Sequence, residues 1–192
     1  ENDKVTEISN LKNSDKTLRD IRGRSIGMIF QEPMTSFGPL HTIGNQIIES
    51  ILIHNKAENE KDAKEQAINL LKLAGIPNPE RRVDAYPHEF SGGMRQRAMI
   101  AMALACGPSL LIADEPTTSL DVTIEAQILE LLKDIQLQTG MAILLISHNL
   151  AVVSEMADEI SVMYLGKQVE FGQSEDIFNN PLHPYTKGLW NS

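Results

Sequence analysis

Three short runs of uninterrupted apolar residues, at 26–30, 110–113 and 142–146, stand apart from one another across long amphipathic stretches, and that alternation leaves few folds open. A strand with no polar residue has to be covered on both faces, and the only elements available to cover it are the helices between the runs. The expected fold is therefore α/β, a mostly parallel sheet with helices on both faces. Ala63, Ala67, Leu70, Leu71 and Ala74 fall at i, i+4, i+7, i+8 and i+11, one face of a helix that Gly75 and Pro77 end. Ile124, Ile128, Leu131, Leu132 and Ile135 share the face of another, and an Ala- and Met-rich helix follows Ser91-Gly92-Gly93. The stretch 81–90, which contains Tyr86-Pro87-His88, reads as a loop, while 160–164 and 167–171 flank Gly166 as a hairpin. A chain of 192 residues with 42% hydrophobic content buries one core, so a single domain is expected over 1–192.

Charge and cysteine usage weigh against some classes of function. A net charge of −9 argues against a general grip on nucleic-acid phosphates. The single cysteine, Cys106, has no partner for a disulfide within the chain and reads as a small core residue. No apolar run approaches the roughly 20 residues that span a membrane. The chain opens on Glu1 and stays polar to Asp20, the character expected of an interior cut.

The run 110–113 ends on two adjacent acids, Asp114 and Glu115. Placing two carboxylates at the end of a buried strand is costly unless a cation or a proton relay requires them there. Neighbouring strand residues face opposite ways, so the two acids are suited to different tasks: one to hold Mg²⁺, the other to orient and deprotonate a water. The plain alternative is a solvated pair of strand-end charges. Ser91-Gly92-Gly93 precedes a helix, where free amides and the positive end of the dipole favour an anion, although by itself it is an ordinary capped helix start. Ser119-Leu120-Asp121, with Glu125 a turn on, taken alone is also capping. Gln31 is delivered by the strand at 26–30, and His148 follows Ser147 at the end of 142–146, on the edge where Asp114 is expected.

In this order the pieces resemble the ATP-binding-cassette (ABC) family of P-loop NTPases. Gln31 is similar to its Q-loop, Phe90-Ser91-Gly92-Gly93-Met94-Arg95-Gln96-Arg97 to the signature motif, 110–115 to the Walker B strand, Ser119-Leu120-Asp121 to the D-loop and His148 to the switch histidine. Ile29-Phe30-Gln31-Glu32-Pro33-Met34-Thr35-Ser36, Tyr86-Pro87-His88-Glu89 and Pro181-Leu182-His183-Pro184-Tyr185-Thr186 resemble the oligopeptide/dipeptide importer branch, and nickel and glutathione importers share them. The resemblance implies a partial nucleotide-binding domain, with a helical signature subdomain at about 45–107 and an α/β core at 21–44 and 108–192. It implies ATP and Mg²⁺ as cofactors, with Ser91, Gly92, Gly93, Gln96 and Asp121 on the nucleotide. Asp114 and Gln31 are implied at the metal, and Glu115, His148 and Gln31 in catalysis. Implied partners are a second ABC ATPase subunit, two transmembrane permease subunits and, indirectly, a solute-binding protein, with no nucleic acid. The implied location is the cytoplasmic face of a bacterial membrane.

Three departures accompany the resemblance. No G-x-x-x-x-G-K-[ST] occurs, and the nearest glycine pair, Gly23 and Gly27, is one residue too close and is followed by Met28-Ile29. The stretch alone is therefore expected to be inactive and, with a sheet edge unpaired, marginally stable or prone to aggregate. Phe90 stands where the family usually has Leu, and Phe37-Gly38-Pro39 where the branch usually has Leu-Asn-Pro. Two alternatives stay open: an ABC ATPase of DNA repair or translation, and a non-enzymatic remnant that pairs with an intact cassette.

Overall fold

The computed structural model describes residues 7–12, 15–31, 36–118 and 120–190. Glu32-Pro33-Met34-Thr35 of the importer-like stretch and Ser119 of the D-loop match lie outside the described residues. The chain divides into two compact units, 1–144 and 145–192.

In the first unit a short helix α1 (Lys16–Asp20) leads through one π-helical turn into strand β1 (Ile26–Ile29). Helices α2 (Ile43–Ile53), α3 (Glu60–Leu73), α4 (Pro79–Arg82) and α5 (Gly92–Ala103) follow, then strand β2 (Leu110–Asp114) and helix α6 (Val122–Thr139). Strand β3 (Ala142–Ile146) completes a three-stranded sheet in the order β1-β2-β3. β1 and β2 are parallel, in a register that pairs Ile26 with Leu110 and Ile29 with Ala113.

The long helices begin where a polar side chain meets an orphan amide. Thr42 accepts from the Asn45 amide, Asn59 from that of Asp62, Ser91 from that of Met94 and Asp121 from that of Ile124. α2, α3 and α5 pack on one another and bury Ile47, Ile51, Ala63, Ala67, Leu71, Met99 and Ile100. α5 also lies against β1, closely enough that a Cβ on Gly27 would stand 2.5 Å from the Ala103 carbonyl. Only glycine fits there.

Two expectations need correction. The stretch 81–90 is not a plain loop: α4 and a 3-10 turn (Pro87–Glu89) shape it, and its Ala85 and Val83 carbonyls accept from the Ile43 and Gly44 amides at the start of α2. Proline at helix N1 and Asn78 at φ 52 before it make a helix that too few residues reveal by periodicity. The apolar strands, moreover, are not all covered on both faces. β1 buries Gly27 and Ile29 but leaves Met28 and, just beyond the strand, Phe30 outward, the latter 50% exposed. Leu144 of β3 is 51% exposed.

Among the departures from the family pattern, Phe90 is buried at 2% exposure, with the Arg82 guanidinium 5.8 Å over its ring. Phe37 is buried too, and Gln46 locks Gly38 from both sides, accepting from its amide at 2.7 Å and donating to its carbonyl at 3.2 Å.

The second unit holds helix α7 (Leu150–Met156), an antiparallel hairpin of β4 (Glu159–Tyr164) and β5 (Lys167–Gln173), and helices α8 (Ser174–Asn179) and α9 (Pro184–Trp190). The hairpin is the one the sequence suggests. Ile160, Val162 and Ile177 form its core, against which Val153, Phe178, Tyr185 and Trp190 pack. Phe178 and Trp190 stack with ring centroids 4.6 Å apart, and the Trp190 indole N–H donates to the Ile177 carbonyl. The Glu170 carboxylate accepts from the Leu182 and His183 amides and so ties β5 to the start of α9.

Candidate nucleotide-hydrolysis site

The parallel register builds the first cluster. Gln31 and Glu115 each lie two residues beyond the last registered pair, Ile29 and Ala113, so the two strand ends carry them to the same place. There the Gln31 side-chain amide donates to Glu115 Oε2 at 2.9 Å, across 84 residues of sequence. Asp114 is the last residue of β2, half-buried, and Glu115 turns the chain away at φ 45. That left-handed conformation costs a residue with a Cβ about 1–3 kcal/mol and persists only where the surroundings impose it.

Backbone and side-chain contacts surround this bend. The Thr118 amide donates to the Glu115 carbonyl at 3.1 Å, and the Thr118 hydroxyl to Glu115 Oε2 at 2.8 Å. The Thr117 hydroxyl donates to Glu125 Oε1 on α6 at 2.9 Å. The Gln96 side-chain amide donates to the Pro116 carbonyl at 2.5 Å. Neither threonine is among the residues the motifs single out. The available signal is two hydroxyls within reach of an Asp-Glu-Pro turn, a pattern of short-range side-chain hydrogen bonding rather than of spacing.

A second cluster surrounds a cavity of about 510 Å³ whose lining includes Ser91, Gly92, Gly93, Arg97, Asp121 and Gln127. Ser91 caps α5 and stays exposed. A Cβ on Gly92 would meet nothing within 4 Å, whereas one on Gly93 would come within 2.9 Å of Ile124, so Gly93 lets the helix start lie against α6. Asp121 caps that second helix at the same cavity. Arg97 donates to the Ala74 carbonyl at 3.0 Å and to Gln127 Oε1 at 3.2 Å, joining the C-terminal end of α3 to the bodies of α5 and α6, a role the motif reading missed.

Gln96 sits differently from its expected place on the nucleotide. It is 2% exposed and faces inward, where its amide holds Pro116; its position ties the helix that starts at one cluster to the turn that forms the other. His148 stands in the second unit, exposed, in the turn between β3 and α7, and is described there only. Cys106 is buried at the end of the α5 region, its Sγ 3.7 Å from the Ser50 carbonyl, and burial pushes the thiol's pKa up.

The donor set suits Mg²⁺ held on substrate. Among the described residues no group of three or more His, Cys, Asp and Glu converges as a metal cage. Mg²⁺ keeps most of its waters and takes one or two carboxylates plus phosphate oxygens, and a half-buried strand-end carboxylate such as Asp114 is of the type it takes. The start of α5 suits a phosphate: its first amides, on Gly92 and Gly93, have no acceptor within the helix, and nothing shields Gly92.

A parallel strand pair that brings Gln31 onto Glu115, in a unit that also holds a glycine-rich helix start, is the arrangement of an ATP-binding cassette fold. A family model described as "ABC transporter" matches residues 3–118, and the chain belongs to the ABC transporter family. A further model, "Oligopeptide/dipeptide transporter, C-terminal region", matches residues 169–192. The chain is 56% identical to "Dipeptide transport ATP-binding protein DppD" of Bacillus subtilis (strain 168), over 93% of this chain and 53% of the relative. It is 57% identical to "Oligopeptide transport ATP-binding protein OppD" of the same organism, over 92% and 49%. The chain thus spans about half the length of these curated relatives.

Among solved structures, the chain resembles the ATP-binding cassette MJ0796, described as a dimeric post-hydrolysis state bound to ADP and Pi. The TM-score is 0.74 at 26% identity, over 86% of this chain and 68% of that one. It also resembles cbiO1 from Clostridium perfringens, described as part of the ABC transporter complex cbiONQ, with a TM-score of 0.75 at 28% identity, over 88% and 64%.

Proposed function

We propose that this chain is the catalytic part of an ATP-hydrolysing subunit that energises an importer of dipeptides or oligopeptides. The family match and the identity of about 56% to transport proteins named for those solutes support the cargo class. The observation that carries the hydrolytic reading is the 2.9 Å bond between Gln31 and Glu115, which joins residues from two strand ends at one carboxylate.

Each residue has a task on this reading. Glu115 takes the proton of the attacking water, and Gln31 orients that water and its carboxylate partner. Asp114 holds Mg²⁺, whose charge offsets that developing on the transferred phosphoryl group. Ser91, Gly92 and Gly93 offer a hydroxyl and backbone amides to the γ-phosphate of a nucleotide held mainly by a second cassette. Asp121 shapes that contact by fixing the start of α6, and His148 is assigned to a γ-phosphate on its resemblance to the switch histidine alone. Gln96 positions rather than binds. The partners proposed are that second ATPase subunit and two membrane-embedded permease subunits, which would place the protein at the inner face of the membrane; no helix among the described residues is long and apolar enough to cross it.

The stretch from Glu1 to Ser192 contains no G-x-x-x-x-G-K-[ST], so by itself it should hydrolyse ATP negligibly. The test compares Mg²⁺-dependent ATP hydrolysis by this stretch and by the full-length protein from its native reading frame, each with and without Glu115→Gln. Activity in the longer form alone, lowered about a hundredfold or more by the substitution, is expected. Undiminished activity in the Glu115→Gln protein would remove Glu115 as the base.

A further inference from the structure

We propose that Thr118 is a positioning residue for hydrolysis, one that sets the orientation of the Glu115 carboxylate; this rests on the reading of Glu115 as the base. At φ 45 Glu115 has left the pleat of β2, so the strand no longer dictates where its side chain points and its neighbours must do so. Thr118 reaches back to it twice. Its amide closes the turn on the Glu115 carbonyl, a contact that any residue except proline would supply. Its hydroxyl donates to Oε2 at 2.8 Å, a contact that only Ser or Thr could reproduce at this length.

The same oxygen receives the Gln31 amide at 2.9 Å. Two donors on one carboxylate oxygen, one from inside the turn and one from the neighbouring strand end, restrict a side chain that otherwise has three rotatable bonds. Position decides the outcome for a general base, because a displacement of about 1 Å lowers a rate by as much as ~10²-fold. The turn itself does not depend on the Thr118 hydroxyl. Pro116 is held by Gln96, Thr117 by Glu125, and the Thr118 amide remains in any replacement but proline. Removing the hydroxyl should therefore release the carboxylate without undoing the bend.

The experiment uses the full-length protein, assembled with its permease subunits in membrane vesicles. Mg²⁺-dependent ATP hydrolysis is measured for the unmodified protein and for Thr118→Val, Thr118→Ala, Thr118→Ser and Glu115→Gln. Thr118→Val and Thr118→Ala are expected to lower kcat about tenfold and to leave the KM for ATP within about twofold, while Thr118→Ser stays within about twofold of the unmodified protein. Thr118→Ala reads out the loss of the hydroxyl should the valine protein not assemble. An unchanged kcat in the hydroxyl-less proteins, with Glu115→Gln inactive, overturns the role of Thr118 and leaves the base standing. Thr118→Ser as slow as Thr118→Val also overturns it, since packing rather than the hydroxyl would then matter. Full activity in Glu115→Gln removes the base and the role of Thr118 together.

Discussion

Gln96 carries two constraints that pull a side chain in different directions: it belongs to a motif that begins at an exposed cavity, yet it is almost fully buried and reaches the Pro116 carbonyl. A buried carbonyl stripped of its donor bears its full desolvation cost, so Gln96→Leu should destabilise the full-length protein by about 1–3 kcal/mol in urea. Gln96→Glu should cost at least as much when ionised, because it sets a carboxylate against a carbonyl. A urea midpoint unchanged by either would show that the bond contributes nothing. Cys106 makes a second case. With its thiol buried and its pKa raised, it should react slowly with a thiol reagent at pH 8 in the folded protein and quickly in denaturant. Fast labelling of the native state would contradict that burial. Residue identity in the sequence pointed to Glu115 and Gln31 through their places after apolar runs, but to Thr118 only as one of two hydroxyls close to an Asp-Glu-Pro string. Its contribution is a contact at i−3 that exists only because Glu115 takes a left-handed bend, and an Asp-Glu-Pro string gives no sign of such a bend.

Periodicity works for elements long enough to show it. The faces written by Ala63, Ala67 and Leu71 and by Ile128, Leu132 and Ile135 are buried as expected, because more than two turns of helix repeat the signal. α4, four residues long, repeats nothing and was invisible, as was the half-covered state of β1, since a run of apolar residues specifies hydrophobic character but not which elements reach both faces. In the second unit the hairpin was legible around Gly166, while the tie from Glu170 to the α9 start was not, being a contact between segments with no shared period. That tie makes a pH prediction. The Leu182 amide first, and the His183 amide with it, hold the Glu170 carboxyl below its ordinary pKa. A carboxyl depressed in the folded state contributes stability that is present above its unfolded pKa, near ~4.3, and lost as pH falls through the folded value. Glu170→Gln should therefore melt below the unmodified protein at pH 7, with the gap closing as the pH drops under that range. A gap independent of pH would assign the effect to packing.

Across the described residues of the sheet, Met28, Phe30 and Leu144 lie outward where continuous apolar runs lead one to expect cover on both faces. Sheet edges and apolar faces in that state invite association. The 192-residue stretch alone should accordingly give a broad melt with light scattering, and a sharp, reversible melt of a monomer would contradict this. The division at 144 and 145 has a different consequence, one that time rather than temperature reveals. A core of Ile160, Val162 and Ile177 closed within so short a unit has little apolar area with which to resist opening. In deuterated water its amides, those of the β4–β5 ladder included, should exchange as one cooperative group and well ahead of the α5 amides around Met99 and Ile100. The hairpin would thus register as a separate clock inside one chain.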